Sequence, residues 1–337
     1  MQHSDHQMMS RPDALDRSLE HEQHPDVVVD AHVDLPYFMA RYAPKSMLSE
    51  IQEGPFTLNK AKSAGIRLFF TAIYCEDRFN GHGSFAHFQE IWNAMLNGCD
   101  QVVTLPDTPD PLGALESDDA IYTLFLIENA DPLVGQNAYI EQLRELGIRL
   151  VGLTHAGKNR LADGNAIRYS DGLTPEGKAL IQNLVEHRIL VDVAHLHPTC
   201  FRQLMKSVES PIVCSHTGIR SICDTPRNLD LEQVKEIGER GGVVGVTFNP
   251  EMLVSGRGAS LMDVFAHIDT VVQRFGPKWV GIGSDFCGFD MKTEGLEDIA
   301  QIPSLIHEME VHGYPRQAVL DIMGHNWLRV LQSVDRP

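Results

Sequence analysis

The sequence predicts a (β/α)8 TIM barrel of the metal-dependent hydrolase type, and three observations point to it. Apolar runs of strand length recur along the chain, they alternate with stretches of helical spacing, and most of them end in a histidine or a carboxylate. The runs cover residues 27–32, 66–74, 121–128, 148–155, 189–195, 212–216, 243–249 and 279–285. Each is nearly continuous rather than alternating, the pattern of parallel strands covered on both faces. An open doubly wound sheet is the competing arrangement. The polar residues decide for the barrel, because active sites of such barrels collect at the C-terminal strand ends, and here those ends carry the chemistry.

The first run reads Val27-Val28-Val29-Asp30-Ala31-His32, and three successive valines favour a strand over a helix. Side chains two apart on a strand share a face. His32 and Asp34 are therefore expected to present an imidazole and a carboxylate together, where the strand gives way to loop at Pro36. That pair of donors suits a divalent metal such as zinc. The third run ends in Glu128, the fourth in Thr154-His155 and the fifth in Asp192-Val193-Ala194-His195. The sixth ends in Ser215-His216 and the eighth in Ser284-Asp285. A barrel gathers such ends into one cleft, where uncompensated carboxylates repel one another. Bound cations remove that cost, and two metals bridged by a carboxylate would hold a water or hydroxide between them.

The intervening stretches read as helices. Thr174-Pro175-Glu176 supplies an N-cap, a proline at the first helical position and an acidic first turn, followed at helical spacing by Ala179, Leu180, Leu184 and Val185. Residues 136–146 stop at Gly147 and residues 231–240 at Gly241-Gly242. Residues 315–334 read as a closing amphipathic helix.

The chain of 337 residues is 43% hydrophobic and 22% charged, enough for a sizeable core. With no linker rich in Pro, Gly or Ser and no internal repeat, the simplest division is a polar N-terminal extension over residues 1–25 and one barrel domain over 26–337. Lys+Arg 28 against Asp+Glu 46 gives a formal charge of −18 without basic clusters, which argues against a nucleic-acid partner. No apolar run approaches bilayer length, and the first 25 residues lack a signal-peptide core, so no membrane partner is expected. The six cysteines form no CxxC pair, as expected for reduced thiols in a cytoplasmic protein. His21-Glu22-Gln23-His24 lacks the spacing of an HExxH helix and, with His3 and His6, reads as solvated tail. Other chemistries lack their motifs. There is no GxSxG elbow and no Walker A loop, and Gly281-Ile282-Gly283 lacks the third glycine of a dinucleotide loop. Nothing near Cys287 suggests a lowered thiol pKa.

Taken together, Asp30-Ala31-His32-Val33-Asp34-Leu35-Pro36, Ile127-Glu128, Leu153-Thr154-His155, Val191-Asp192-Val193-Ala194-His195, Ser215-His216, Arg227-Asn228, Gly241-Gly242-Val243-Val244 and Gly281-Ile282-Gly283-Ser284-Asp285-Phe286 resemble the membrane (renal) dipeptidases, the M19 metallopeptidases, related in fold to the amidohydrolases. The resemblance runs from about Val27 to the C-terminus and implies a barrel with two zinc ions. It implies His32 and Asp34 on one metal, His195 and His216 on the other, and Glu128 bridging them. It further implies that His155 stabilises the tetrahedral intermediate, that Arg227 grips the substrate carboxylate and that Asp285 handles protons. The chain departs from the family pattern in four places. Ala31 and Val33 stand in a motif that usually reads Asp-Gly-His-Asn-Asp-Leu-Pro. Asn129-Ala130 follows Glu128 where Gly-Gly is usual. Cys287 replaces the second Asp of Asp-Phe-Asp-Gly. Asn249, counted among the substrate-binding residues with His155 and Arg227, stands where animal enzymes commonly have tyrosine.

The expected activity is hydrolysis of small dipeptides by a metal-bridging hydroxide. In it His155 donates to the oxyanion, Asp285 relays the proton to the leaving amine and Arg227 forks onto the free carboxylate. Hydrolysis of a lactone, cyclic amide or N-acyl amino acid on the same scaffold is the alternative, and a non-catalytic metal-binding barrel is a second. The expected partner is a small dipeptide-like molecule, and the sequence accommodates a monomer or a homodimer.

Overall fold

The computed structural model of the chain describes residues 27–334, so the expected extension at residues 1–25, with its histidines, lies outside the described residues. All eight expected strands form: β1 (Val28–Val33), β2 (Ile66–Tyr74), β3 (Tyr122–Glu128), β4 (Ile148–Gly152), β5 (Leu190–Asp192), β6 (Ile212–Thr217), β7 (Val244–Val246) and β8 (Val280–Ile282). Neighbours pair in parallel, and β1 bonds to both β2 and β8, which closes the barrel. One addition was not expected. Val103–Thr104 forms a two-residue ladder on the foot of β3, opposite Tyr122 and Thr123, below the level at which β4 joins at Phe125.

Apolar side chains on both faces of each strand feed two cores. Val29, Ala31, Leu68, Phe70, Leu124, Leu126, Leu150, Leu190 and Val213 fill the barrel interior. Val28, Phe69, Ile127, Val151, Val191 and Val244 face outward onto Ile181, Leu184, Leu204, Val234, Ile268 and Leu305 of the surrounding helices. Double burial of this kind is why the runs read as continuous.

The helix starts follow their capping chemistry. Thr174 accepts from the Gly177 amide at the head of the helix Pro175–Glu186, and Asp230 from Gln233 at the head of Leu231–Glu239. Three expectations are corrected. Pro36 does not lead into a loop: it lies in the first turn of a helix, Leu35–Tyr42, where its missing N–H costs nothing. Of residues 136–146 only Asn137–Ile140 is regular α-helix. Beyond it, Gln142 and Leu143 bond three residues back, to Tyr139 and Ile140, and the chain continues as tight turns to Gly147. The closing helix is interrupted by a π-turn, Asp321–His325, between Arg316–Leu320 and Asn326–Ser333.

That last helix plugs the N-terminal end of the barrel. Gly324 packs so closely that a Cβ there would lie 2.5 Å from the Val27 carbonyl oxygen. Trp327 lays its indole against the inner face of β7 and β8 and donates from Nε1 to the Ile282 carbonyl at 3.1 Å. The inward positions of these strands are Gly245 and Gly281, and a Cβ on Gly281 would come within 2.4 Å of the indole nitrogen. Among the described residues no helix is long and apolar enough to cross a membrane.

Emptying the plug tests this packing. Trp327→Ala is expected to lower the unfolding free energy by about 3–5 kcal/mol, the usual cost of removing a buried tryptophan. Urea unfolding followed by circular dichroism reads it, and an unchanged midpoint would mean that the indole does not support the barrel base.

Candidate metal centre

Two β-bulges aim the ligand-bearing strand ends. Between β1 and β2 the register runs from Asp30 opposite Phe69 to Val33 opposite Thr71, three steps against two, so β1 carries an extra residue at Ala31-His32. Between β6 and β7 it runs from Cys214 opposite Val244 to Thr217 opposite Val246, with the extra residue at Ser215-His216. A bulge breaks the two-residue alternation and re-aims a side chain. Ala31 faces the barrel interior, and His32, the next residue, also turns inward to meet Glu128. The juxtaposition of His32 and Asp34 is thus real, with Nε2 to Oδ2 3.4 Å, but it does not arise from strand alternation. Asp34 already lies beyond the strand, as the N-cap residue of Leu35–Tyr42.

The other strand ends turn sharply. His195, Asp285 and Asn129, the residue after Glu128, all hold left-handed backbone, with φ of 63°, 65° and 71°. Such conformations are costly outside glycine and tend to gather at functional sites.

Glu128 stands at the centre. Its Oε1 lies 2.8 Å from His195 Nε2 and 3.9 Å from His216 Nε2, while Oε2 lies 3.7 Å from His32 Nε2. The two Nε2 atoms of His195 and His216 are 3.1 Å apart. Donor atoms converge in three overlapping groups: His32, Glu128 and His216; Glu128, His155 and His195; and His32, Asp34 and Asp285. His32 Nε2, Asp34 Oδ1 and His195 Nδ1 are buried without a hydrogen-bond partner, which is costly unless something else satisfies them. Divalent cations fit this donor set of imidazoles and carboxylates.

The electrostatics agree. Burial opposes a charge on Glu128, yet the His195 hydrogen bond and the surrounding His195, His32 and His155 rings hold its carboxyl below the usual range. Burial also opposes a charged His32, but Asp34, with Glu128 and Asp285, pushes its ring up to about 10. Burial, with Arg227 nearby, takes His195 down to about 3. Burial and the neighbouring Asp34 charge push Asp285 well above the carboxylate range, and burial raises Asp34 too. Carboxylates crowded until they resist ionising are what bound cations relieve.

Behind the donors lies a buried polar frame that sequence reasoning passed over. Asp30 accepts from the amides of His32 (3.2 Å) and Ser284 (2.8 Å) and from the Ser284 hydroxyl (2.5 Å), tying β1 to the end of β8. Asp192 accepts from the Ala194 and Ser215 amides at 3.0 and 2.8 Å, tying β5 to β6. Ser215 Oγ sits 3.2 Å from His32 Nδ1 and 2.9 Å from His216 Nδ1. An aspartate inside an apolar strand was the available signal in both cases. Asp77 had none, since it sits in the turn Asp77–Phe79 after β2 and meets His155 only in space, Oδ2 to Nδ1 3.2 Å.

Above the donors opens a cleft of about 460 Å³, lined by Asp34, Glu128, His155, His195, Arg227, Asn249 and Asp285 together with Tyr37, Tyr74, Asn165, Thr225 and Met252. His32 and His216 lie beneath its floor, fully buried. Every residue singled out from the sequence thus comes to this one place. Arg227 pairs with neither Asp224 nor Asp230. It donates from Nη2 to the His216 carbonyl at 3.0 Å, and its buried Nε has no hydrogen-bond partner. Asn249 donates from Nδ2 to Asp285 Oδ2 at 3.1 Å and caps the helix Pro250–Leu253 through its oxygen. Cys287 is buried, and burial with the charges of Asp34, Asp30 and Asp285 pushes its thiol far up, away from nucleophilic use.

A closed parallel barrel with histidines and carboxylates converging at its C-terminal strand ends around the central Glu128 defines a metal-dependent hydrolase of the (β/α)8 type. The chain belongs to the membrane dipeptidase family, peptidase family M19, whose model matches residues 20–336. Dipeptidase verJ of Clonostachys rogersoniana is 25% identical to it over 327 residues, 91% of this chain and 84% of that one. An uncharacterized protein in the pqqA 5′ region of Klebsiella pneumoniae is 32% identical over 218 residues, 62% of this chain and 80% of the relative. In fold it is similar to a metallopeptidase of Rhodobacter sphaeroides solved with a phosphinate mimic of the dipeptide L-Ala-D-Ala, with a TM-score of 0.82 at 21% identity, covering 92% of this chain and 100% of that one.

The position of Glu128 sets an expectation for metal content. The purified protein is expected to hold about two divalent ions per chain, and Glu128→Gln to lose both together, because one side chain serves both sites. Elemental analysis of the two proteins after metal loading reads this, and loss of a single ion would contradict the bridge.

Proposed function

We propose that the protein hydrolyses the peptide bond of small dipeptides with two zinc ions, held by His32, Asp34 and Glu128 on one side and by Glu128, His195 and His216 on the other. The observation that carries this reading is Glu128, one oxygen turned to His32 and the other to His195 and His216, at a cleft that also contains Arg227, which has no carboxylate partner among the described residues. The mixed histidine and carboxylate donors favour zinc. When bound, the ions would supply an acidified water and polarise the scissile carbonyl. A dipeptidase among the relatives and a dipeptide mimic in a structural neighbour support the substrate class.

The remaining steps belong to side chains. Arg227 presents a planar fork to the substrate's C-terminal carboxylate, which places the scissile bond over the donors and favours dipeptides over longer chains. His155 donates to the oxygen on which negative charge develops. Asp285 takes a proton from the attacking water and delivers it to the leaving amine. The Asn249 amide holds Asp285 Oδ2 in place for that exchange.

Two predictions test the roles. Asp285→Asn is expected to lower kcat by several orders of magnitude with metal content retained, and His155→Ala to lower it by about 10²–10³-fold, as for single oxyanion donors. Metal loss in Asp285→Asn would make Asp285 a ligand, and an unchanged kcat would remove His155 from the reaction.

The carboxylate clamp is tested separately. A panel of dipeptides is expected to turn over, to stop on chelation and to resume on adding zinc. Arg227→Lys should be costly, because a lysine cannot form the planar fork. Amidating the C-terminus of the dipeptide should cost the unmutated enzyme a similar factor, and the two losses should not add. Equal turnover of free and amidated dipeptides would overturn Arg227 as the clamp.

A further inference from the structure

We infer that Asp77 is a positioning residue for His155, and that Asn129 holds the turn bearing Asp77 in register with it. The inference rests on the role proposed above for His155 and extends it to two residues that do not line the cleft.

The His155 ring is gripped on one edge. Its Nδ1 lies 3.2 Å from Asp77 Oδ2 and 3.4 Å from the Tyr74 hydroxyl, which leaves Nε2 for the cleft. The ring also packs between Tyr74 and His195, with centroids 4.7 and 4.5 Å away. Asp77 is itself fixed. The same Oδ2 accepts from the Gly157 amide at 2.9 Å, and a Cβ on Gly157 would press to 2.9 Å from that oxygen. The carboxylate therefore spans from the loop after β2 to the loop after β4, with the histidine between its anchors.

The turn carrying Asp77 is lashed down from β3. Asn129 Nδ2 donates to the Cys75 carbonyl at 2.6 Å and to Asn80 Oδ1 at 2.8 Å, on either side of Asp77 in the chain. Asn129 Oδ1 in turn accepts from Asn159 Nδ2 at 2.8 Å, and Asn159 also holds the Leu153 carbonyl at 2.7 Å, two residues before His155. Asn129 is fully buried and left-handed, and it stands where the family usually has glycine. A glycine would meet the same backbone requirement without the side chain. The asparagine adds the link between the Asp77 turn and the His155 loop.

A double-mutant cycle on the zinc-loaded protein, with L-Ala-L-Ala as substrate, tests the coupling. Asp77→Ala is expected to lower kcat about 10–100-fold, the usual cost of losing a residue that orients a catalytic imidazole, with KM little changed. In a His155→Ala background the same substitution should cost no more than about twofold, because there is no ring left to hold. Asp77→Asn keeps an acceptor toward Nδ1 and the Gly157 amide and should recover most of the loss. Asn129→Gly should give a smaller loss that also vanishes without His155. Equal losses in both backgrounds, or an asparagine at position 77 as damaging as alanine, would overturn the inference. A second readout is independent of turnover: the 15N resonance of His155 Nδ1 should shift in Asp77→Ala. An unshifted resonance overturns the positioning role even if dipeptides are hydrolysed. A wild-type protein inactive on every dipeptide, with the shift present, would instead count against the proposed substrate.

Discussion

The arrangement depends on one electrostatic constraint: several carboxylates and imidazoles must share a buried space at the mouth of the barrel. Left to themselves the carboxylates resist ionisation, as the raised Asp34 and Asp285 show. Glu128 escapes this because His195 and the other rings surround it. With one oxygen toward His32 and the other toward His195 and His216, it divides the space into two halves of similar chemistry. Bound divalent cations would satisfy the orphaned His32 Nε2 and Asp34 Oδ1 together with the crowded negative charge.

Holding such a site demands a rigid frame, and the barrel divides the work between its ends. At the base, stability comes from packing: Trp327 fills the space left by Gly245 and Gly281, and Gly324 lets the last helix sit against β1. At the mouth, strand regularity is given up. Bulges at Ala31-His32 and Ser215-His216 and left-handed residues at 129, 195 and 285 are each locally unfavourable. Asp30 and Asp192, hydrogen-bonded across neighbouring strands, keep these distorted ends together.

The departures from the family pattern acquire physical meaning in this frame. Val33 turns into the outer core and leaves the donor set untouched. Cys287 is a buried, inert thiol in the turn that follows Asp285. Asn249 couples Asp285 to the helix after β7 and also lines the cleft. Asn129 links loops that a glycine would leave separate.

The barrel and its eight strands were legible in the sequence, because burial on both faces imposes continuous apolar runs, and the histidines and carboxylates that end those runs pointed to the cleft, whereas Arg227 and Asn249 were singled out only through the family resemblance. Local chemistry likewise foretold the helix head at Thr174. Geometry set by long-range contacts was not legible. That His32 reaches Asp34 through a bulge and a helix start follows from the pairing of β1 with β2 and β8, which no local pattern encodes. The indole plug depends on space left by glycines on β7 and β8. Asp77 is the clearest case: as a polar residue in a turn it looks like any solvated carboxylate, and only the closing of the barrel brings it to His155, 78 positions further along the chain.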